Sequence, residues 1–355
     1  MGFFFNLFRT EKKLESVALI DIGTSSVAGA YVRYTKGEQP VLLYTRRLPI
    51  EHHDDELPEA AMFRALHILG DALIREGAPE LMRATGSGSA GTVLVSVDAP
   101  WQKTSVRTEH LEQDDEFVFT RSLVKEALKK TSSVPSGHVL ADESIIGTIL
   151  NGYETGDPYG KQARRASIVI LTSLIDESVA DGIHTILRGL FHTRNIVSIA
   201  GSSLRYQAMR AAFPHERDEL VVDATGPLTS IALVRRDLLV AVSEIEAHPA
   251  SAAVWLEKVS EELAALAARF PLPRTIFLLA REPEIASLRD TLAAGNLGKL
   301  WLSDNPPKIV SVLSSHISGF IRQASATPAD LSLLLMALYW KRRTPEDEPA
   351  VDNVS

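Results

Sequence analysis

The chain has 355 residues, enough for about two or three domains with a real core. Apolar residues make up 45% and charged residues 23%, the balance of a soluble globular protein. A net charge of −8 argues against sequence-independent nucleic-acid binding, and the absence of cysteine excludes disulfides and cysteine-ligated metals.

Met1 to Phe8 lacks a basic leading region and is too short for a signal sequence. It carries Phe3, Phe4, Phe5, Leu7 and Phe8, with Arg9, Lys12 and Lys13 close behind. An aromatic end flanked by cations suits a membrane interface. The competing readings are packing of these rings on the first lobe and contact with a partner protein.

Val17 to Ile22 is a β-branched run ending at Asp21 and Gly23, the pattern of a buried strand entering a turn. Strands over 27–34 and 41–48 complete a meander. Pro58 to Arg75 reads as a helix, with Met62, Leu66, Leu69 and Leu73 on one face. The Gly/Ser stretch 85–91 reads as a joint between domains. A smaller α+β unit is expected over 93–193. It opens on a strand at 93–97 and continues with a helix over 113–130, strands at 144–150 and 167–172, and a helix over 176–190.

Glu219 to Asp223 is again a buried strand ending in Asp, followed by strands over 229–234 and 238–245. A helix over 251–270, a strand over 275–280 and an apolar helix over 328–340 finish the ordered chain. The longest apolar run, Leu331 to Trp340, is about half of the ~20 residues that a membrane-spanning helix needs. The tail from Lys341 is charged and expected to be disordered.

The decisive pattern is a repeat. Ala18–Arg33 (ALIDIGTSSVAGAYVR) and Leu220–Arg235 (LVVDATGPLTSIALVR) share one layout: apolar strand, Asp, a turn with Gly and hydroxyl residues, then a second strand. Two such units about 200 residues apart imply related lobes whose turns face each other across a cleft. The chemistry suits polyphosphate. Turns of this kind point backbone N–H groups outward as an anion nest, and Thr24, Ser25, Ser26 and Thr229 add hydroxyls. Asp21 and Asp223 would repel phosphate, so they would act through hydrated Mg²⁺. The bland alternative is a pair of ordinary hairpins with Asp as a turn former.

These residues resemble the phosphate motifs of the actin, Hsp70 and sugar-kinase superfamily. Within it, the sequence looks most like the cell-division protein FtsA and its relative PilM. The stretches 145–165, 195–208 and 328–339 carry the rest of the likeness. The resemblance implies an α/β, actin-like (ribonuclease H-like) two-lobed fold with an inserted SHS2-like α+β module. The expected division is an N-terminal tail at 1–16, a first lobe over 17–92 and 194–217, the module at 93–193, a second lobe over 218–340 with its outer part reduced, and a tail at 341–355. It also implies ATP with Mg²⁺ on Asp21, Gly23, Thr24, Ser25, Ser26, Asp223, Thr225, Gly226 and Thr229.

The second motif departs from the family. Pro227 has no N–H, Leu228 replaces a hydroxyl, and Thr225 puts a Cβ where positive φ is expected. The adenosine motif is also gone, since Ala280-Arg281-Glu282-Pro283 has no glycine and is expected to be a bulky loop. Ser230 stands where the family has an acid, so no water-activating base is evident. ATP hydrolysis is expected to be weak or absent, and a scaffold that binds no nucleotide fits as well. His52-His53-Asp54-Asp55 reads as a solvated turn and Asp114-Asp115-Glu116 as helix N-terminal charge.

Two functions remain open. One is an FtsA-like division adaptor that self-assembles at the inner face of the membrane and holds an FtsZ-like filament. The other is a PilM-like cytoplasmic scaffold that grips the tail of a pilus membrane protein. A sugar-kinase-type enzyme would need a substrate base that the sequence does not show.

Overall fold

The computed structural model describes residues 14–131, 134–155, 158–226, 228–236, 238–247, 251–301, 306–325 and 327–343. The aromatic and basic residues Phe3, Phe4, Phe5, Leu7, Phe8, Arg9, Lys12 and Lys13 lie outside them, as do Pro227 and the tail from 344 on.

The chain begins with a meander of β1 (Leu14–Ile22), β2 (Ser26–Thr35) and β3 (Val41–Pro49). Residues 14–16 therefore belong to β1 rather than to an N-terminal tail. Then come α1 (Pro58–Ala72), a π-helical turn (Leu73–Gly77), α2 (Ala78–Thr85) and β4 (Thr92–Val97). The middle of the chain forms β5 (Gln102–Val118), α3 (Arg121–Thr131), β6 (His138–Leu150), β7 (Tyr153–Glu154), β8 (Gln162–Asp176) and α4 (Glu177–Phe191). It continues through β9 (Ile196–Ala200) and α5 (Gly201–Ala212) into β10 (Glu219–Ala224), β11 (Thr229–Arg235) and β12 (Leu238–Ile245). The last third holds α6 (Ala252–Ala267), β13 (Thr275–Ala280), α7 (Glu282–Ala294), β14 (Lys308–Ser311), α8 (Ser314–Ser318), β15 (Arg322–Gln323) and α9 (Leu331–Arg342).

The repeat read in the sequence is a repeat of topology. The first sheet has the order β15-β3-β2-β1-β4-β9 and the second β12-β11-β10-β13-β14. In each, the strand ending in Asp sits at the centre. It pairs antiparallel with the next strand (Asp21 opposite Ala28, Asp223 opposite Ser230) and parallel with a later one. Both central strands are buried on two faces, as their unbroken apolar runs demand. Val17 and Leu19 join one buried cluster, while Ala18, Ile20 and Ile22 join another. The first of these clusters includes Val221 and Phe277 of the second sheet, together with Leu204 and Met209 of α5 and Leu334 and Leu338 of α9. Helices α5 and α9 thus tie the two sheets into one core.

Several expected boundaries move. β4, expected to open the inserted unit, pairs in register with β1 (Val17 opposite Thr92) in the first sheet. α4 also belongs to the first lobe, because Val179, Ile183 and Phe191 pack into the core beneath β1. The Gly/Ser stretch before β4 is an internal turn tied back by Gly91 N–H to Ser16 O at 3.0 Å, not a domain joint. What remains between the lobes is the four-stranded sheet β5-β8-β6-β7 with α3. Its own core includes Phe117, Phe119, Val124 and Ile168. Residues 113–118 are the end of β5 rather than a helix. Asp114 and Asp115 fall in a bulge between Glu112 and Phe117, where the pairing with β8 shifts register. Near the C-terminus, β15 crosses back to pair with β3.

Candidate functional site

Both Asp-terminated turns open into one cleft between the sheets, with a volume of about 770 Å³. Asp21, Gly23, Thr24, Ser25, Ser26, Asp223, Thr225 and Gly226 all line it. The turns meet: a Cβ built on Gly226 would lie 3.6 Å from Thr24 Oγ1. Thr229 is the exception among the expected residues. It is fully buried, its hydroxyl donates to Ala247 O at 2.9 Å, and it accepts from Trp255 Nε1 at 2.9 Å. It is a core hydroxyl because the first residue of β11 faces α6, not the cleft.

Two arginines that the motif reading did not include dominate the site. Arg205, on α5, is 7% exposed. It grips the Asp98 carboxylate with two N–H groups, at 3.0 Å and 2.6 Å, and its Nε contacts Asp223 Oδ2. Asp98 follows β4 of the first sheet and Asp223 ends β10 of the second, so one guanidinium spans the lobes. Arg47, on β3, binds Asp21 Oδ2 at 2.9 Å and Ser26 Oγ at 2.7 Å, and it pairs with Asp330. Asp330 caps α9, accepting from Leu333 N–H at 3.1 Å. Arg47 thereby ties the first turn to the start of α9.

The electrostatics follow from burial. Loss of solvent pushes the Asp21 carboxyl up to about 6, although Arg47 pulls the other way. Burial works against both guanidinium charges, but the paired carboxylates outweigh it and hold both arginines above their usual range. Glu244, on β12, is raised by burial and by the nearby Asp98, against a 3.1 Å bond from Gln102 Nε2.

Much of the expected anion nest is already engaged. Gly23 N–H donates across its own turn to Ser26 O at 2.9 Å. Trp101 Nε1 holds Gly23 O at 2.9 Å, and Thr24 Oγ1 donates to Ala99 O. Thr225 gives both its N–H and its hydroxyl to Asp223 Oδ1, at 3.0 Å and 2.6 Å. Thr225 does not take positive φ, contrary to expectation, because this Asp-Thr turn closes without it. The expected bulky loop after β13 is a single residue. Arg281 caps α7, which starts with Pro283 in its first turn, and pairs with Glu284 at 2.5 Å.

These residues do not fit a nucleotide held through Mg²⁺ between the two aspartates. Asp21 Oδ1 is buried with no hydrogen-bond partner among the described residues, so one acceptor could take a metal-bound water. Asp223 Oδ2 likewise makes no hydrogen bond among the described residues, but an arginine already stands against it. Thr225 holds one of its oxygens and Arg205 contacts the other. Among the described residues, no three His, Asp or Glu side chains come together as a metal site. Asp21 and Asp223 are therefore ion-pair partners here rather than a matched pair of cation ligands.

A smaller groove of about 170 Å³ runs between the four-stranded sheet and the first lobe. Val139 and Leu140 of β6 and Ile175 of β8 form one wall, and Ala180 and Ile183 of α4 form the other. His184 lies in it, 3.1 Å from Ser198 Oγ. Burial, then Arg188, lower its pKa, while Asp181 opposes them.

The PilM–PilN type IV pilus biogenesis complex matches this chain over 92% of its length and 97% of the other chain, at 16% identity and a TM-score of 0.56. The chain has the actin-like fold. Other similar structures include a Bacteroides thetaiotaomicron protein described as having an actin-like ATPase fold and unknown function. It is 10% identical, covers 84% of this chain and 91% of its own, and has a TM-score of 0.44. The ethanolamine utilization protein EutJ from Carboxydothermus hydrogenoformans is 12% identical, covers 91% and 89%, and has a TM-score of 0.39. No protein-family model matches the chain, and no curated protein matches it in sequence.

Proposed function

We propose that this chain is a PilM-type scaffold that holds an apolar segment of a membrane-anchored partner. The observation that carries this reading is the apolar groove between β6, β8 and α4, lined by Val139, Ile175, Ala180 and Ile183 at the edge of the first-lobe core. An extended apolar segment laid there would bury Leu140, which is 38% exposed. A protein that shares this fold over nearly its whole length occurs in the PilM–PilN type IV pilus biogenesis complex, which supports a partner-binding role. Among the described residues no helix is long and apolar enough to cross a membrane. In this reading the partner supplies the membrane attachment, and the interlobe cleft does structural work.

The test is fluorescence anisotropy of the full chain with a labelled peptide: the cytoplasmic segment of the PilN-type protein from the same organism. The reading predicts binding that weakens at least about tenfold in Leu140→Glu, since a charge would then face an apolar ligand. Binding that is absent, or unchanged in Leu140→Glu, would overturn it. Co-sedimentation with an FtsZ-like filament instead would favour the division-adaptor reading.

A further inference from the structure

We infer that Arg205 takes the place a divalent cation would hold between the lobes, making it a built-in counter-ion that holds the lobes together without nucleotide. This stands independently of the partner reading, since it rests on the cleft alone.

Asp98 and Asp223 line the cleft from different sheets: Asp98 follows β4, next to the central strand of the first, and Asp223 lies near the end of β10, the central strand of the second. Two such carboxylates repel unless a cation lies between them. A hydrated Mg²⁺ would supply that charge only when metal and nucleotide are present. A guanidinium is covalently attached, stays charged over the whole working pH range, and presents donors in a fixed planar fork. Arg205 presents that fork to both: two N–H groups donate to Asp98, and Nε lies against Asp223 Oδ2 as an ion-pair contact.

The surroundings are shaped for the arginine. A Cβ on Gly201, one helical turn before Arg205, would lie 1.8 Å from Asp98 Oδ1, so only glycine leaves the carboxylate its seat. Asp98 also sits at the N-terminus of α5, where the helix dipole favours a negative charge.

The remaining charge in the cleft is wrong for a polyphosphate. Asp21, Asp98, Asp223, Glu244, Glu282 and Asp330 line it, against Arg47, Arg205 and Arg281. Each of those arginines already has a carboxylate partner. An incoming triphosphate would meet excess negative charge and would have to draw an arginine from its carboxylate partner to gain a cation. The lobes are therefore fixed in one arrangement, and assembly or partner binding is not gated by a nucleotide cycle.

The test uses the full chain, thermal unfolding and isothermal titration calorimetry. With millimolar Mg-ATP or Mg-ADP, the wild type should show no heat of binding and no midpoint change. Arg205→Met removes the charge but keeps an apolar stem. Its midpoint should fall by roughly 5 °C or more, and Mn²⁺ alone should restore part of the loss by occupying the vacated place between Asp98 and Asp223. Arg205→Lys keeps a charge without the fork and should lie between the two. A wild type stabilised by Mg-ATP, an Arg205→Met as stable as the wild type, or a metal effect equal in both would each overturn the inference. Should Arg205→Met fail to fold, Arg205→Lys decides, and a midpoint equal to the wild type's contradicts the inference.

Discussion

Asp98 fills the space that a side chain on residue 201 would need, its Oδ1 lying 1.8 Å from where the Cβ of any other residue would be. The first helical residue of α5 and the aspartate at the end of β4 are therefore fitted to each other. Gly201→Ala should expel the carboxylate and strip Arg205 of its bidentate partner. We expect a loss of about 3 kcal/mol or more, the cost of leaving a buried charge uncompensated, read by urea unfolding. Gly226→Ala is the control. Its Cβ would meet Thr24 Oγ1 at an ordinary 3.6 Å and its φ is not positive, so its effect should stay within about 1 kcal/mol.

Thr229 separates a core role from a ligand role. Its hydroxyl satisfies Trp255 Nε1 and uses Ala247 O, all in buried surroundings. Thr229→Val keeps the shape but leaves a buried indole N–H unpaired, at about 1–3 kcal/mol. Thr229→Ser restores the hydroxyl and should recover most of that. Chemical denaturation of the three proteins checks the order.

His184 gives the groove a pH dependence with a definite sign. Its pKa is lowered in the fold, so between the ordinary histidine value and the lowered one the unfolded chain binds more protons. The stability it contributes is present near neutral pH and is lost as pH falls through that window. A peptide lying over it would add desolvation and should bind more weakly as pH drops from about 7.5 to about 5.5. Anisotropy across that range, with His184→Gln flattening the trend, checks this.

The sequence made the two hairpins readable because each central strand is an unbroken apolar run that ends in Asp, and burial on both faces requires such a run. The facing of the turns followed from their repetition. β4 runs into Asp98 in a similar way, in Val97-Asp98, yet the sequence analysis does not include this third cleft carboxylate. It was hidden because pairing of β4 with β1 is parallel and non-local, and adjacent residues carry no sign of it. Arg47 and Arg205 were illegible for a different reason. Strand alternation and helical spacing give the face of an element, but not the carboxylate opposite. Arg205 lies between Leu204 and Tyr206 in a helix that is otherwise largely buried, and a charge there is the one local hint of a buried partner. The end of β5 reads as a helix because residues 112–116 are all acidic or amide, which mimics a helix start, while its pairing is dictated by the apolar β8.

The most direct measurement of the interlobe clasp is a double-mutant cycle on Arg205 and Asp223, with Arg205→Met, Asp223→Asn and the double variant unfolded in urea. A guanidinium that holds the two lobes together predicts a coupling of about 2–3 kcal/mol. Additive losses, with coupling below about 0.5 kcal/mol, would mean that the two side chains do not depend on each other and that something else closes the cleft.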